Sequence, residues 1–341
     1  MGYDNLRLEK GMYRQTGMSF SQVLESMDPS ENYRGTALEK TDAFQRQLKR
    51  FGIRVKGTNS SPVEQFFATM DSAVLFPEYI ARTVRQGLEE NDILPAITAT
   101  TTVIDAMDYR SIYSVATDDE KALKDVAEGA TISQTQVKTK EHLVSLTKRG
   151  RMLVASYEAL RFQKLDLFGV MLRQIGSHIQ KQQVADAVKV LLDGDGNSNA
   201  ATKLTIGTAP MSGTKGTLTY DQLVEFWGQF DPFTMNTILC STATMTSILK
   251  VPELQNPQTG LNFQGTGKLS TPLGAQLHRT GAVSNGVIIG LDNRYALEQV
   301  RAGDVLVEYD KLIDCQLERA AITTISGFAK ICDGAAKALT V

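Results

Sequence analysis

The chain has 341 residues, 42% of them hydrophobic and 22% charged, with nine Pro and three Cys; this excludes a disordered, collagen-like or disulfide-stapled chain and predicts one elaborate domain or about two. The 36 basic and 38 acidic residues leave a net charge of −2, so no global basic field steers the protein onto nucleic acid and any such contact is local. Cys240, Cys315 and Cys332 are widely spaced, Met1–Lys10 has no apolar core, and no apolar run approaches a membrane span; a soluble protein made in a reducing cytoplasm is expected.

Residues 1–60 hold ten basic against seven acidic residues, and the remainder reverses that excess. Ser19–Met27 and Thr36–Phe51 are predicted helices, with Thr36 and Glu39 as a capping box for the second and Gly52 as its stop. From Phe44 to Lys56 stand Arg46, Lys49, Arg50, Arg54 and Lys56 with no acid among them, and positions 46, 49 and 50 share a helical face. Two readings stay open for this run: a solvated face, or contact with an anionic partner. Gly57–Pro62 reads as a linker, and Val63–Gly87 as helical but broken at Pro77.

Thr98–Val115 is rich in Thr, Val, Ile and Tyr and is predicted as strand. A second extended stretch runs from Val137 to Val154, with Lys148, Arg149 and Arg151 along it. Between them lie Asp118–Lys121 and Glu128-Gly129-Ala130. Together these segments predict a long β-hairpin that projects, because few large apolar residues sit near its tip. Tyr157–Leu192 contains no Pro, and Leu165, Phe168, Leu172, Ile175 and Ile179 form one apolar stripe, so a helix roughly 50 Å long is expected to act as a strut. Gly169 and Gly176 either admit a close neighbour or weaken the helix. Asp193-Gly194-Asp195-Gly196 ends it.

A Gly/Thr/Ser-rich stretch then leads to a helix over Gln222–Phe230, capped by Thr219 or Asp221. Met235–Ser241 reads as a buried strand, Thr242–Leu249 as a helix, and Leu254–Pro272 as a polar loop. Gly286–Asp292, Val305–Tyr309, Ile313–Leu317 and Ala321–Ile331 read as strands. No internal repeat is visible.

Chemistry-bearing constellations fail one by one. His142, His178 and His278 have no partner at metal-ligand spacing. Asp193–Asn197 starts like a calcium loop but carries Ser198 where Gly is needed and Leu204 where Glu is needed, so it reads as a helix stop. Gly265-Thr-Gly267-Lys268 is not a phosphate loop, since Asn262 and Leu269 stand in the places of the first Gly and the Ser/Thr. No Gly-x-Ser-x-Gly elbow occurs, and Trp227 and Phe230 read as core residues of their helix. No catalytic residue, cofactor site or metal site is predicted, which favours a structural or binding protein over an enzyme.

The order of elements carries a resemblance. A polar N-terminal segment precedes a hairpin with Glu128-Gly129-Ala130-Thr131-Ile132. The basic strand Lys148-Arg149-Gly150-Arg151 leads into Ser156-Tyr157-Glu158-Ala159-Leu160 and the long helix. A C-terminal part follows with Gly290-Leu291-Asp292, Tyr295-Ala296-Leu297, Val307–Asp310 and Gly334-Ala335-Ala336. From about residue 75 to 341 this resembles the major capsid protein of tailed bacteriophages, with the Hong Kong 97-type fold. The resemblance implies an α+β fold with an N-terminal arm at 1–75, a peripheral domain at 76–104, an extended β-hairpin loop at 105–153 and a spine helix at 154–195. An axial α/β domain would span 196–304, peripheral strands 305–333, and a return to the axial domain 334–341.

It further implies self-assembly into pentamers and hexamers of an icosahedral virion shell around double-stranded DNA, in the host cytoplasm, with scaffold, portal and decoration proteins as partners and no membrane. Candidate assembly contacts are Glu128, Gly129, Lys148, Arg149, Arg151, Glu318 and Arg319. Candidate interior contacts with an anionic partner, DNA or scaffold, are Arg46, Lys49, Arg50, Arg54 and Lys56. Some family members cross-link a hairpin Lys to an Asn with help from a Glu. Here Ala320 or Ala321 stands at the Asn place and Ser326 or Gly327 at the Glu place, so cohesion is expected to be non-covalent and Lys138 and Lys140 to be ordinary surface residues. The alternatives are an encapsulin-type compartment shell with enzyme cargo and, further off, an α/β enzyme.

Overall fold

The computed structural model describes residues 3–14, 18–90, 92–106, 108–113, 125, 128, 138–156, 158, 162–255, 273–303, 305–312 and 317–341. In chain order the helices are α1 (Phe20–Met27), α2 (Ala43–Arg50), α3 (Met70–Glu89), α4 (Leu94–Ile97), α5 (Leu165–Asp193), α6 (Tyr220–Gly228), α7 (Thr242–Leu249) and α8 (Pro252–Gln255). The strands are β1 (Thr100–Ile104), β2 (Ile112–Tyr113), β3 (Lys138–Thr139), β4 (Thr147–Ser156), β5 (Thr202–Thr205), β6 (Thr237–Cys240), β7 (Gln276–Arg279), β8 (Val287–Leu291), β9 (Leu297–Ala302), β10 (Leu306–Leu312), β11 (Leu317–Lys330) and β12 (Ala336–Thr340). The chain divides into two compact units. The first is Met1–Asn91, Arg149–Gln180 and Asp304–Thr324; the second is Asp92–Lys148, Lys181–Gly303 and Ile325–Val341.

In the first unit, Ser19 and Gln22 cap α1 reciprocally. The cap of α2 is Asp42 with Gln45, not Thr36 with Glu39. An ionised Asp accepts the first-turn amide more strongly than a hydroxyl does, while Thr36 is engaged in an upstream turn, donating to Tyr33 O and accepting from Leu38 N. The expected break at Pro77 does not occur; α3 runs through it. A proline interior to a helix opens the preceding turn, and here the Tyr13 hydroxyl fills the opening. It donates to Val74 O at 2.7 Å and accepts from Glu78 N at 3.1 Å. Its ring stacks on Phe20 with centroids 4.2 Å apart, and burial pushes its hydroxyl pKa up. Tyr13→Phe leaves both backbone groups short of a partner, so denaturant unfolding should show a loss of about 1–3 kcal/mol. An unchanged midpoint would mean that the helix closes its own turn.

The residues assigned to an N-terminal arm are packed into this unit. Phe20, Leu24, Phe44, Leu48, Val63 and Phe66 share one core with Leu75, Phe76 and Ile80 of α3, with Leu165, Phe168 and Leu172 of α5, and with Ala320 and Ile322 of β11. The apolar stripe read along α5 is therefore its buried face. The helix starts at Leu165 rather than Tyr157; Tyr157 and Ala159 to Arg161 lie outside the described residues. Where α3 and α5 cross, Gly87 and Gly176 let the backbones meet. A Cβ on Gly176 would overlap Val84 O and lie 2.9 Å from Leu88 N, and one on Gly87 would lie 2.6 Å from Arg173 Cα. Of the two readings of Gly176, close approach is the correct one. β10 pairs antiparallel with residues 317–323 of β11, and β4 lies along β11. The expected strand 321–331 is part of a longer one, from 317 to 330, whose side chains alternate in burial over most of its length; residues 313–316 of the other expected strand lie outside the described residues.

In the second unit a sheet of order β5-β12-β8-β6-β7 carries α6 and α7. Phe226, Phe230, Ile238, Ile288 and Leu339 form one core, and Val184, Val188 and Leu191 of α5 pack with Ile289, Leu291 and Ala336 in another. β1 pairs parallel with β9, and β9 pairs antiparallel with residues 326–330 of β11. Trp227 is not a core residue: Phe230 is buried, but Trp227 is 43% exposed. Leu223, Phe226 and Phe230 take the inward face, and a one-residue step on a helix turns Trp227 about 100° away from it.

Candidate functional site

The strands that carry the candidate assembly residues also wall a groove in the first unit. Along β4, Leu153 and Ala155 point into the core, while Arg151, Met152 and Val154 are exposed. Gly150 lets this strand lie against Ile322 and Thr323, since a Cβ there would sit 2.8 Å from Thr323 Cγ2. Across the sheet, Arg319 pairs with Asp310 directly opposite it, at 2.8 Å. The groove, about 130 Å³, is lined by Phe76, Leu153, Val154, Met171, Glu318 and Arg319, among others. Leu167, 62% exposed, and Val170 share the face of α5 that carries Met171, and Phe162 is 80% exposed. Apolar surface of this kind, rimmed by charged groups, marks a protein contact.

Lys148 on β4 is exposed and Arg149 half-buried; Glu128 is exposed, and Gly129 lies outside the described residues. Of the candidate assembly contacts, Arg149 and Arg151 lie on β4, and Glu318 and Arg319 on β11, which pairs with it. The exposed apolar residues around them were missed by sequence reasoning. The signal was present: Leu167, Val170 and Met171 fall at i, i+3 and i+4, away from the stripe that packs inward.

The basic run does not form one surface. Arg46 is fully buried. Its Nε donates to Asp28 Oδ2 at 2.6 Å, its terminal nitrogens donate to Asp28 O, Thr41 O and Ser30 Oγ, and its guanidinium lies over the Tyr33 ring. Arg50 donates to Leu6 O and to Gln47 Oε1. Both guanidiniums are engaged inside the unit, which corrects their placement as partner contacts; Lys49, Arg54 and Lys56 remain exposed.

Lys140 is likewise not a surface residue. It is buried, and its Nζ donates to Asp195 Oδ2 at 2.7 Å and to Lys330 O. Burial alone would raise the Asp195 pKa, but hydrogen bonds from Lys140, Asn197 and the Lys330 amide outweigh it and hold the carboxyl at about 2. A carboxylate with a depressed folded-state pKa contributes stability that is complete above its unfolded value, about 4, and lost as pH falls towards 2. Acid unfolding of the wild type should therefore steepen between about pH 4 and 2, and Asp195→Asn should remove that increment. Identical acid profiles would show that the pair is not formed.

Among the described residues, no group of His, Cys, Asp or Glu is placed to hold a metal ion, and no helix is long and apolar enough to cross a membrane. Cys240 is buried and Cys332 half-buried; Cys315, most of residues 114–137 and residues 256–272 lie outside the described residues.

Comparison with known proteins supplies the fold. Residues 139–304 match the phage capsid protein family. A capsid chain of a native GTA particle aligns over 72% of this chain and 89% of its own, with a TM-score of 0.54 at 13% identity. A chain of Microbacterium phage Oxtober96 aligns over 73% of this chain and 91% of its own, at 0.51 and 12%. A virus-like particle from Pyrococcus furiosus aligns over 77% and 98%, at 0.50 and 12%. At such identities the likeness is one of fold. No curated protein matches the sequence significantly. The fold is the Hong Kong 97-type capsid fold of tailed phages. Beyond the shared fold, residues 139–304 are similar in sequence to the phage capsid protein family.

Proposed function

We propose that this chain is the major subunit of an icosahedral phage head, closing into pentamers and hexamers around double-stranded DNA. The observation that carries this reading is the exposed apolar surface of the first unit, Met152 and Val154 on β4 with Leu167 and Met171 on α5, where Val154 and Met171 share a groove with Arg319. A second copy of the chain covers it, and many such modest contacts add through multivalency. A shell that closes five- and six-fold rings from one chain uses repeated heterologous contacts of this kind. Assembly takes place in the host cytoplasm with scaffold, portal and decoration proteins as partners; no catalytic step is needed, and cohesion is non-covalent.

Lys49, Arg54 and Lys56 supply a weak, sequence-independent attraction for an anionic interior partner, the packaged DNA, that salt screens. The test is nuclease treatment of particles isolated from a producing host. Nuclease-resistant double-stranded DNA inside shells supports the genome reading. Shells that hold protein cargo and no DNA support the encapsulin-type compartment instead. Reversing the three charges to Glu should weaken DNA retention at low salt and leave unfolding within about 0.5 kcal/mol of wild type.

A further inference from the structure

We propose that the base of the hairpin is a two-point clamp: Glu298 holds the limb that leads into residues 114–137, and the Lys140–Asp195 pair holds the limb that leaves them. All of these groups belong to the second unit. The clamp sets the direction in which the chain leaves the unit after Tyr113 and returns to it at Lys138, and in a shell subunit that direction bears on which neighbour the chain meets; this consequence rests on the function proposed above.

The limbs need an anchor beyond each other. Their described ladder is two residues long, Ile112 with Thr139 and Tyr113 with Lys138, continued by the single amide bonds Lys140 N to Ser111 O and Val144 N to Tyr109 O, and so short a pairing does not hold itself in water. On the entering side Glu298 is buried within β9, whose register is fixed by β1 on one edge and β11 on the other. Its carboxylate accepts from Thr102 Oγ1 at 2.6 Å, from Tyr109 OH at 2.7 Å and from Ser111 Oγ. Three hydroxyls converging on one buried carboxylate satisfy its charge and pin residues 109 and 111 to the sheet.

On the leaving side the anchor is the loop that the sequence offered and failed as a calcium site. Asp195 Oδ2 accepts both Lys140 Nζ and the Lys330 amide, and Lys330 Nζ donates to Asn199 O. Asn197 Oδ1 accepts the His142 amide, while Asn199 Oδ1 accepts the Asp195 amide. The Asp195 carboxylate and the Asn197 side-chain oxygen are thus turned to the hairpin limb and the end of β11. Gly194 makes the fold-back possible: its φ is 85°, and a Cβ there would lie 2.6 Å from Asn199 Oδ1. Between the two anchors, Val144, Val300 and Ala329 form a small core with Ile104, Tyr109 and Leu146. Buried ion pairs add little net stability but demand one geometry, and two anchors on separate limbs restrict a rotation that one would allow.

The test measures hydrogen exchange at residues 108–113 and 138–146 of the soluble subunit, and shell assembly of the same preparations. The variants are Asp195→Asn, Glu298→Gln and Lys140→Met. Where Lys140→Met alone unfolds the unit, the charge-free pair Lys140→Met/Asp195→Leu replaces it. The clamp predicts at least tenfold faster exchange on the limb whose anchor is changed, with β6 and β8 unaffected, and shells that form only at higher concentration or with irregular diameters. Unchanged limb exchange overturns the clamp. Loosened limbs with wild-type assembly and diameter overturn its role in direction. A wild type that forms no shell contradicts the proposed function, while the exchange result still decides the clamp.

Discussion

Arg46→Met should lower the unfolding free energy by about 3–5 kcal/mol, read from urea denaturation. The side chain is fully buried, and its loss leaves Asp28, itself 2% exposed, as a buried carboxylate without its cation. It also strips Asp28 O, Thr41 O and Ser30 Oγ of their donor. The methionine stem fills much of the volume, so the loss reads the charge and hydrogen bonds rather than a cavity. Lys49→Met, three residues along the same helix and exposed, should stay within about 0.5 kcal/mol. The contrast separates a structural arginine from a surface lysine that sequence alone makes equivalent. Equal, small effects from both would mean that Arg46 faces outwards and is free for an anionic partner.

Gly176→Ala is the second large effect. The added methyl meets Val84 O, Leu88 N and Gly87 C, all backbone, so no flexible side-chain end can move aside. Either α3 and α5 separate, opening the aromatic core of Phe66, Phe76 and Phe168, or the chain is strained. Overpacking of this kind destabilises by about 1–3 kcal/mol and more where backbone must shift, enough to move the thermal midpoint by several degrees. Gly87→Ala strikes the same crossing from the other helix, so the two should not add. Gly228→Ala, with nothing within 4 Å of its Cβ position, serves as the neutral control. A Gly176→Ala protein as stable as the wild type would show that the helices do not cross here.

What was legible in the chain is what local periodicity decides. The stripe at 165, 168, 172, 175 and 179 specified α5 and its buried face because a 3.6-residue period needs no knowledge of partners. The order of a hairpin, a basic strand, a long helix and an α/β part was enough to point to the capsid fold. What stayed hidden depends on residues far apart in sequence. The rule that proline breaks a helix fails at Pro77 because Tyr13 supplies the missing hydrogen bonds. Arg46 looked like its neighbours because nothing near it in sequence announces Asp28. Lys140 looked exposed because its partner, Asp195, sits past the whole of α5. The face of Trp227 was readable in principle, since Leu223, Phe226 and Phe230 already claim the inward side of α6.

The most direct test of the central claim is negative-stain electron microscopy of the purified recombinant chain at several salt concentrations. The account predicts closed shells, or free rings of five- and six-fold symmetry, with a shell diameter that bounds the number of subunits. A uniform small monomer or dimer at every salt concentration, unchanged when phage assembly partners are added, would contradict it.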